Sequence, residues 1–277
     1  MVELDPFVLR RVLWLRSLRW LACTEIADLV LVADNLSEVR HAAGALVLAA
    51  EVHPGALHLV VDGELASGAR TWGPRSLVAA LEVFARRPML ATVIATRETR
   101  TLQLPAGDAR EILEENFGIL RAALRVLAAG MPPLPAVHLP ASLPDPLGFV
   151  ERLTILRRQL IFAEARLDAL AGLAHASQEV RIARGGALAT EGEPALASFV
   201  ILDGVANGPR GALGPGHAIG ALETLAELPH SATIDARTPL RALETGAAAI
   251  FDVLEDYPDL GVTMLAGFAT MLAGAHV

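Results

Sequence analysis

The chain has 277 residues, 53% of them hydrophobic and 19% charged, with a mean hydropathy of +0.45; such a composition buries a core in each of two domains and excludes a disordered protein. A net charge of −8 argues against a broad electrostatic footprint on nucleic acid, and because all 23 basic side chains are Arg, P-loop phosphate binding and Schiff-base catalysis are excluded as well. The single cysteine, Cys23, leaves no internal disulfide and no cysteine-based metal centre, and it fits a cytoplasmic location.

At the N-terminus, Val8, Leu9, Val12, Leu13, Leu15 and Leu18 are interleaved with Arg10, Arg11, Arg16 and Arg19. This predicts an amphipathic helix rather than a signal peptide, with the arginines as a solvated face and Trp14 and Trp20 as anchors. Further on, Glu51, His53, His58 and Asp62 lie close together but lack a His-x-His pair, so they read as ordinary surface residues and no metal is expected. Between Met131 and Pro146, six prolines exclude both a helix and a central strand. They predict a semi-rigid linker, which divides the chain into residues 1–130, a linker over 131–149, and residues 150–277.

The two sides of that linker match without a gap at an offset of 141 residues. The pairs include Gly44/Gly185, Asp62/Asp203, Gly63/Gly204, Gly73/Gly214, Pro74/Pro215, Leu81/Leu222, Glu82/Glu223, Pro88/Pro229, Thr92/Thr233 and Arg100/Arg241. Matches rich in Gly and Pro at one offset identify a tandem duplication. In the second copy, helical spacing predicts a helix over 152–174. Short apolar runs at 180–182, 187–190, 199–202, 232–235 and 240–244, separated by Gly-containing turns, predict antiparallel strands. A short helix is expected at 221–227 inside the strand region, and helices at 247–256 and 260–272 close the unit. The fold class is therefore α+β, mainly β: two tandem antiparallel β-rolls of the jelly-roll kind, each with flanking helices and a short inserted helix. The uncharged run Gly261 to Ala275 falls short of the roughly 17–25 residues that span a bilayer, so a buried helix is expected and no membrane anchor. The spacing of Ala266, Thr270 and Gly274 would let a second copy approach, as in a homo-oligomer.

The second copy resembles the cyclic-nucleotide-binding domain family of the bacterial catabolite activator protein and the regulatory subunit of cAMP-dependent protein kinase. The residues that carry the resemblance are Gly185-Gly186, Glu191-Gly192-Glu193, Phe199 to Gly204, Leu213 to Gly216, and the segment from Ile219-Gly220-Ala221-Leu222 to Pro229-His230-Ser231-Ala232-Thr233-Ile234. The last of these aligns without a gap with the family's phosphate-binding cassette. There a short helix offers backbone N–H groups to the cyclic phosphate, an arginine neutralises it, and a glutamate accepts from the ribose hydroxyl.

Carried over by position, Gly220 keeps the glycine, Ala221 replaces the ribose-binding glutamate, and His230 replaces the phosphate-binding arginine. Glu223 brings a carboxylate to the anion side. In the first copy, Ala79, Ala80 and Met89 stand at the glycine, glutamate and arginine positions, followed by Leu90 and Thr92, and Arg86 and Arg87 read as a solvated turn. Loss of a charge-assisted phosphate contact removes roughly 1.5–3 kcal/mol, so the resemblance implies two eroded cassettes.

No nucleophile elbow or other catalytic motif is present, and no helix-turn-helix follows the second copy before Val277, so neither an enzyme nor a DNA-binding protein is expected. The all-Arg, Ala-rich composition fits a GC-rich bacterial genome. The expected role is regulatory or scaffolding, exercised on a protein partner without a cofactor. The alternative is a sensor whose Gly220–Thr233 segment, with Leu222, His230, Ser231, Ala232 and Thr233, holds a cyclic nucleotide or another small anion weakly.

Overall fold

The computed structural model describes residues 6–22, 24–140, 142–163 and 165–274; Cys23 and the Ala275 end of the apolar run lie outside them. The chain divides into two compact units, Met1–Ala123 with Phe268–Val277, and Leu124–Gly267.

The chain opens with α1 (Pro6–Arg16) and α2 (Ile26–Asp34). The first roll follows: β1 (Ser37–His41), β2 (Leu46–Leu48), β3 (Ala56–Asp62), β4 (Leu65–Ser67), β5 (Arg70–Trp72), β6 (Leu77–Val78), α3 (Ala80–Phe84), β7 (Val93–Ala95) and β8 (Thr99–Pro105). Two helices, α4 (Ala106–Glu115) and α5 (Phe117–Gly130), come next. After α6 (Phe149–Arg158) and α7 (Leu167–Ala176), the second roll repeats the plan: β9 (Ser177–Ile182), β10 (Ala187–Ala189), β11 (Ala197–Asp203), β12 (Ala206–Gly208), β13 (Gly211–Leu213), β14 (Ala218–Ile219), α8 (Ala221–Ala226), β15 (Ile234–Ala236) and β16 (Leu240–Gly246). The last helices are α9 (Ala247–Asp256) and α10 (Pro258–Gly274).

Each roll consists of two antiparallel sheets of four strands with matching strand orders: β1-β8-β3-β6 and β2-β7-β4-β5 in the first, β9-β16-β11-β14 and β10-β15-β12-β13 in the second. The fold is therefore the tandem β-roll with inserted helices that the sequence predicts. Alternation along the strands sets the cores. In the first roll, Leu48, Val60, Leu65, Val78, Met89 and Val93 pack together; in the second, Leu188, Ile201, Ile219 and Leu240 do, with Phe199 against them. Burial of a side chain of this size stabilises by about 1.5–3 kcal/mol. The weak hairpin β12–β13 has no strand signal in its sequence, because it is built from Ala and Gly around Pro209.

Several expectations are corrected. The helix predicted over 152–174 breaks into α6, a 3-10 turn at Leu160–Phe162, and α7. Gln159 is extended (ψ 133°), which lets both Ile161 and Phe162 reach the core, and the Arg157 guanidinium accommodates the break by donating to the Ala165 carbonyl at 2.5 Å. On the N-terminal segment Val12, Leu15, Leu18 and Leu21, which recur every three residues, are the fully buried side chains, beside the half-buried Trp14 and Trp20. Arg11 is not simply solvated, since it donates to the Ala33 carbonyl at the end of α2.

The described residues of the Pro-rich segment between Met131 and Gly148 form neither helix nor strand, and they run along the second roll. The Val137 N–H donates to the Gly216 carbonyl (3.0 Å), Arg158 to the His138 carbonyl (2.6 Å), and Arg241 to the Pro144 carbonyl (2.8 Å). The Leu147 N–H donates to Glu179 Oε2 (2.8 Å), and Arg181 pairs with Asp145. α10 buries Leu260, Met264, Leu265 and Phe268, and among the described residues no helix is long and apolar enough to cross a membrane.

Candidate site: two cassettes on one backbone

In the second roll, α8 starts at Gly220 in the left-handed conformation (φ +75°), and a Cβ there would stand 2.8 Å from the Ala197 carbonyl and 3.1 Å from the His230 ring. His230 is 9% exposed, and its ring lies close against the bare Cα of Gly220. Its backbone is fixed on both sides: the His230 N–H donates to the Glu193 carbonyl (2.9 Å), and its carbonyl accepts from Gly192 (3.0 Å).

The remaining cassette residues are committed to one another. The Ser231 hydroxyl donates to Glu223 Oε1 at 2.9 Å, so it is already bonded to a carboxylate. Thr233 Oγ1 accepts from the Glu191 N–H at 3.0 Å and thereby ties the segment after His230 to the turn at Glu191. Thr224, fully buried, donates to the Ala195 carbonyl. Leu222 and Ala232 are half-buried beside them. Ala221 does not join this group; with Leu225, Phe199 and Met264 it lines a small apolar cavity of about 40 Å³.

The first cassette repeats the backbone with different side chains. Ala79 holds the glycine conformation (φ +67°) at the start of α3. The Met89 N–H donates to the Val52 carbonyl (2.9 Å), the Glu51 N–H to the Met89 carbonyl (2.8 Å), and Thr92 Oγ1 accepts from Ala50 (3.3 Å), each bond the counterpart of one in the second roll. Met89 is buried and Leu90 exposed. A cavity of about 260 Å³ lies here, lined among others by Trp72, Ala79, Ala80 and Met89.

A polar cluster that the sequence reading misplaces sits inside the first roll. His58 is 4% exposed, on the same face of β3 as the core residue Val60, so it is not a surface histidine. Gln103 Nε2 approaches His58 Nδ1 at 3.3 Å, and His41 Nε2 lies 3.0 Å from Thr101 Oγ1. Burial, with a smaller contribution from His41, pushes the His58 pKa down to about 4, and burial lowers that of His41 too. No group of three or more potential metal ligands exists among the described residues. The signal for a buried His58 is its alternation with Val60 in an otherwise apolar strand.

No protein-family model and no curated protein matches the chain. Among solved structures, it is similar to the cAMP-bound regulatory domain of protein kinase A from Toxoplasma gondii, at 16% identity over 93% of this chain and 96% of that one, with a TM-score of 0.38. It is also similar to the regulatory subunit of a cAMP-independent protein kinase A from Trypanosoma brucei, at 17% identity over 94% and 91%, TM-score 0.39. The N-terminal domain of a transcriptional regulator from Streptomyces coelicolor matches at 28% identity over 44% of this chain and 92% of that one, TM-score 0.39. In its tandem β-rolls and ungapped cassette, the chain resembles the cyclic-nucleotide-binding domain family. What it can bind follows from its own side chains.

Proposed function

We propose that this protein is a non-enzymatic regulatory or scaffolding module of the cytoplasm that works through protein contacts and does not bind cAMP in the way of the family it resembles. The observation that carries this reading is the state of the two phosphate positions. In the second roll, His230 is packed against Gly220 and Ser231 is bonded to Glu223; in the first, the same position holds Met89. Neither position, 230 or 89, itself carries a fixed positive charge to offset the desolvation of a phosphate.

The protein-contact half is supported by an asymmetry between the copies. The first roll exposes Leu46 (62%), Val52 (55%), Leu90 (53%) and Ile94 (41%), with Leu46 opposite Ile94 across β2 and β7. At the matching positions the second roll has Ala187, Glu193, Ser231 and Asp235. Arg86 and Arg87 stand just ahead of Leu90. The partner this face fits has an apolar contact patch edged by carboxylates.

The test is a thermal shift of the full chain with millimolar cAMP and cGMP, at pH 7 and at pH 6. A ligand present at a hundredfold its Kd would stabilise the fold by about 2.7 kcal/mol, so no shift is the expected result. A shift of several degrees that disappears in His230→Ala would replace this reading with a nucleotide sensor.

A further inference from the structure

The two cassettes differ in what fills them. In the second, the space next to the left-handed residue is taken by the His230 ring; in the first, a cavity of about 260 Å³ remains at the same place. An apolar cavity of about 150 Å³ already admits benzene, so this volume has room for a larger ring system.

The walls state what this cavity selects. Trp72, Leu77, Val78, Ala79, Met89 and Val93 make much of its wall apolar, while Ser67 and Arg70 also line it, the Arg70 guanidinium over the Trp72 ring, 4.9 Å from its centroid. Glu82 also lines it. Its counterpart Glu223 is bonded by Ser231, but Leu90 occupies that position in the first copy and has no hydroxyl to give. With both Arg70 and Glu82 in the lining, the wall carries no net charge that would select an anion, and the Glu82 carboxylate can accept from an N–H or O–H donor.

We infer that the first roll is a binding site for an uncharged, largely apolar molecule of about two fused aromatic rings, lying beside Trp72. The site uses the old cassette backbone with the phosphate chemistry removed. This inference is independent of whether the protein also docks a partner.

The probe is N-phenyl-1-naphthylamine, neutral and fluorescent in apolar surroundings, titrated into the full chain. Saturable binding of one probe per chain is expected, at least tenfold tighter than for the sulfonated analogue 1-anilinonaphthalene-8-sulfonate. Ala80→Trp, which fills the cavity, should weaken binding at least tenfold, whereas Ala221→Trp in the second roll should leave it unchanged. Energy transfer from tryptophan to the bound probe should fall in Trp72→Phe, which keeps Trp14 and Trp20. That reading serves even if Ala80→Trp does not fold. Undiminished binding in a folded Ala80→Trp chain, equal affinity for the sulfonate, or unchanged transfer in Trp72→Phe would each overturn the inference.

Discussion

In the second roll three left-handed positions of the cassette and its neighbouring turns are glycines, Gly192, Gly216 and Gly220, with φ between +75° and +87°, while a fourth is Glu227 (φ +52°), matched by Arg86 (φ +51°) in the first roll. The first roll holds the same conformations with Glu51, Arg75 and Ala79, at φ between +63° and +71°. A left-handed non-glycine residue costs on the order of 1–2 kcal/mol, yet the conformations persist, because the ladder from Met89 to Val52 and Glu51 and the roll around it determine them. The two copies thus hold one backbone conformation with different residues at these three turns, so the conformation does not depend on glycine.

The comparison breaks most readily at Gly220. Gly220→Ala meets the Ala197 carbonyl and the His230 ring at once in a conformation that disfavours a side chain, so urea denaturation should show a loss of about 2–4 kcal/mol. A loss below about 1 kcal/mol would mean that the cassette is not held as described.

A second contrast lies inside the rolls, where His58 and His41 of the first occupy the positions of Phe199 and Ile182 in the second. With a folded-state pKa near 4 against 6.5 unfolded, His58 is neutral in the folded protein, and the unfolded chain takes up the proton first. Stability is therefore full above about pH 6.5 and declines as the pH falls toward 4, by roughly 3 kcal/mol in all. His58→Phe should flatten that decline when denaturation midpoints are compared at pH 7 and pH 4.5. An unchanged slope would show that His58 is not the group responsible.

Ion pairs on the outer strands give a third contrast. Glu179 is 12% exposed, pairs with Arg241 at 2.9 Å, and accepts from the Leu147 N–H, whereas Glu38 is 44% exposed and lies 3.5 Å from Arg100. The Arg241 hydrogen bond, aided by Leu147, holds the Glu179 carboxyl below the usual range, so its contribution is present at neutral pH and lost as the pH falls below the ordinary glutamate value. Glu179→Ala should cost about 1–3 kcal/mol and loosen the Pro-rich segment to proteolysis, and Glu38→Ala less than about 1 kcal/mol. Equal losses would remove the distinction. The smallest expected effect is a gain: Glu51→Gly and Arg75→Gly, at exposed positions, should each stabilise by about 0.5–1 kcal/mol in the same assay.

Much of the roll was legible because turn residues report backbone conformation directly. Gly44, Gly63, Gly185 and Gly204 share their positions at the offset of 141 and also share positive φ. The residues at 79, 89, 221 and 230 could likewise be placed at the two short inserted helices and the turns after them. Other features depend on tertiary contacts that leave no local pattern. Gln159 breaks a helix whose apolar spacing continues through it, because Ile161 and Phe162 gain burial by the break. The prolines between 131 and 146 say which structures cannot form, but not that Val137 and Leu147 bond the second roll. The cavity beside Trp72 is the space left by residues distant in sequence, and Ala79 and Met89 alone do not reveal it.

The central claim is that Glu223 and His230, on the cassette backbone, deny cAMP to the second roll. Titration calorimetry with cAMP, on the wild-type chain and on Glu223→Ala/His230→Arg, tests it directly once circular dichroism shows both to be folded. The wild type should give no binding heat, and the variant should bind one cAMP per chain. Binding by the wild type, or a folded variant that stays silent, would contradict the account.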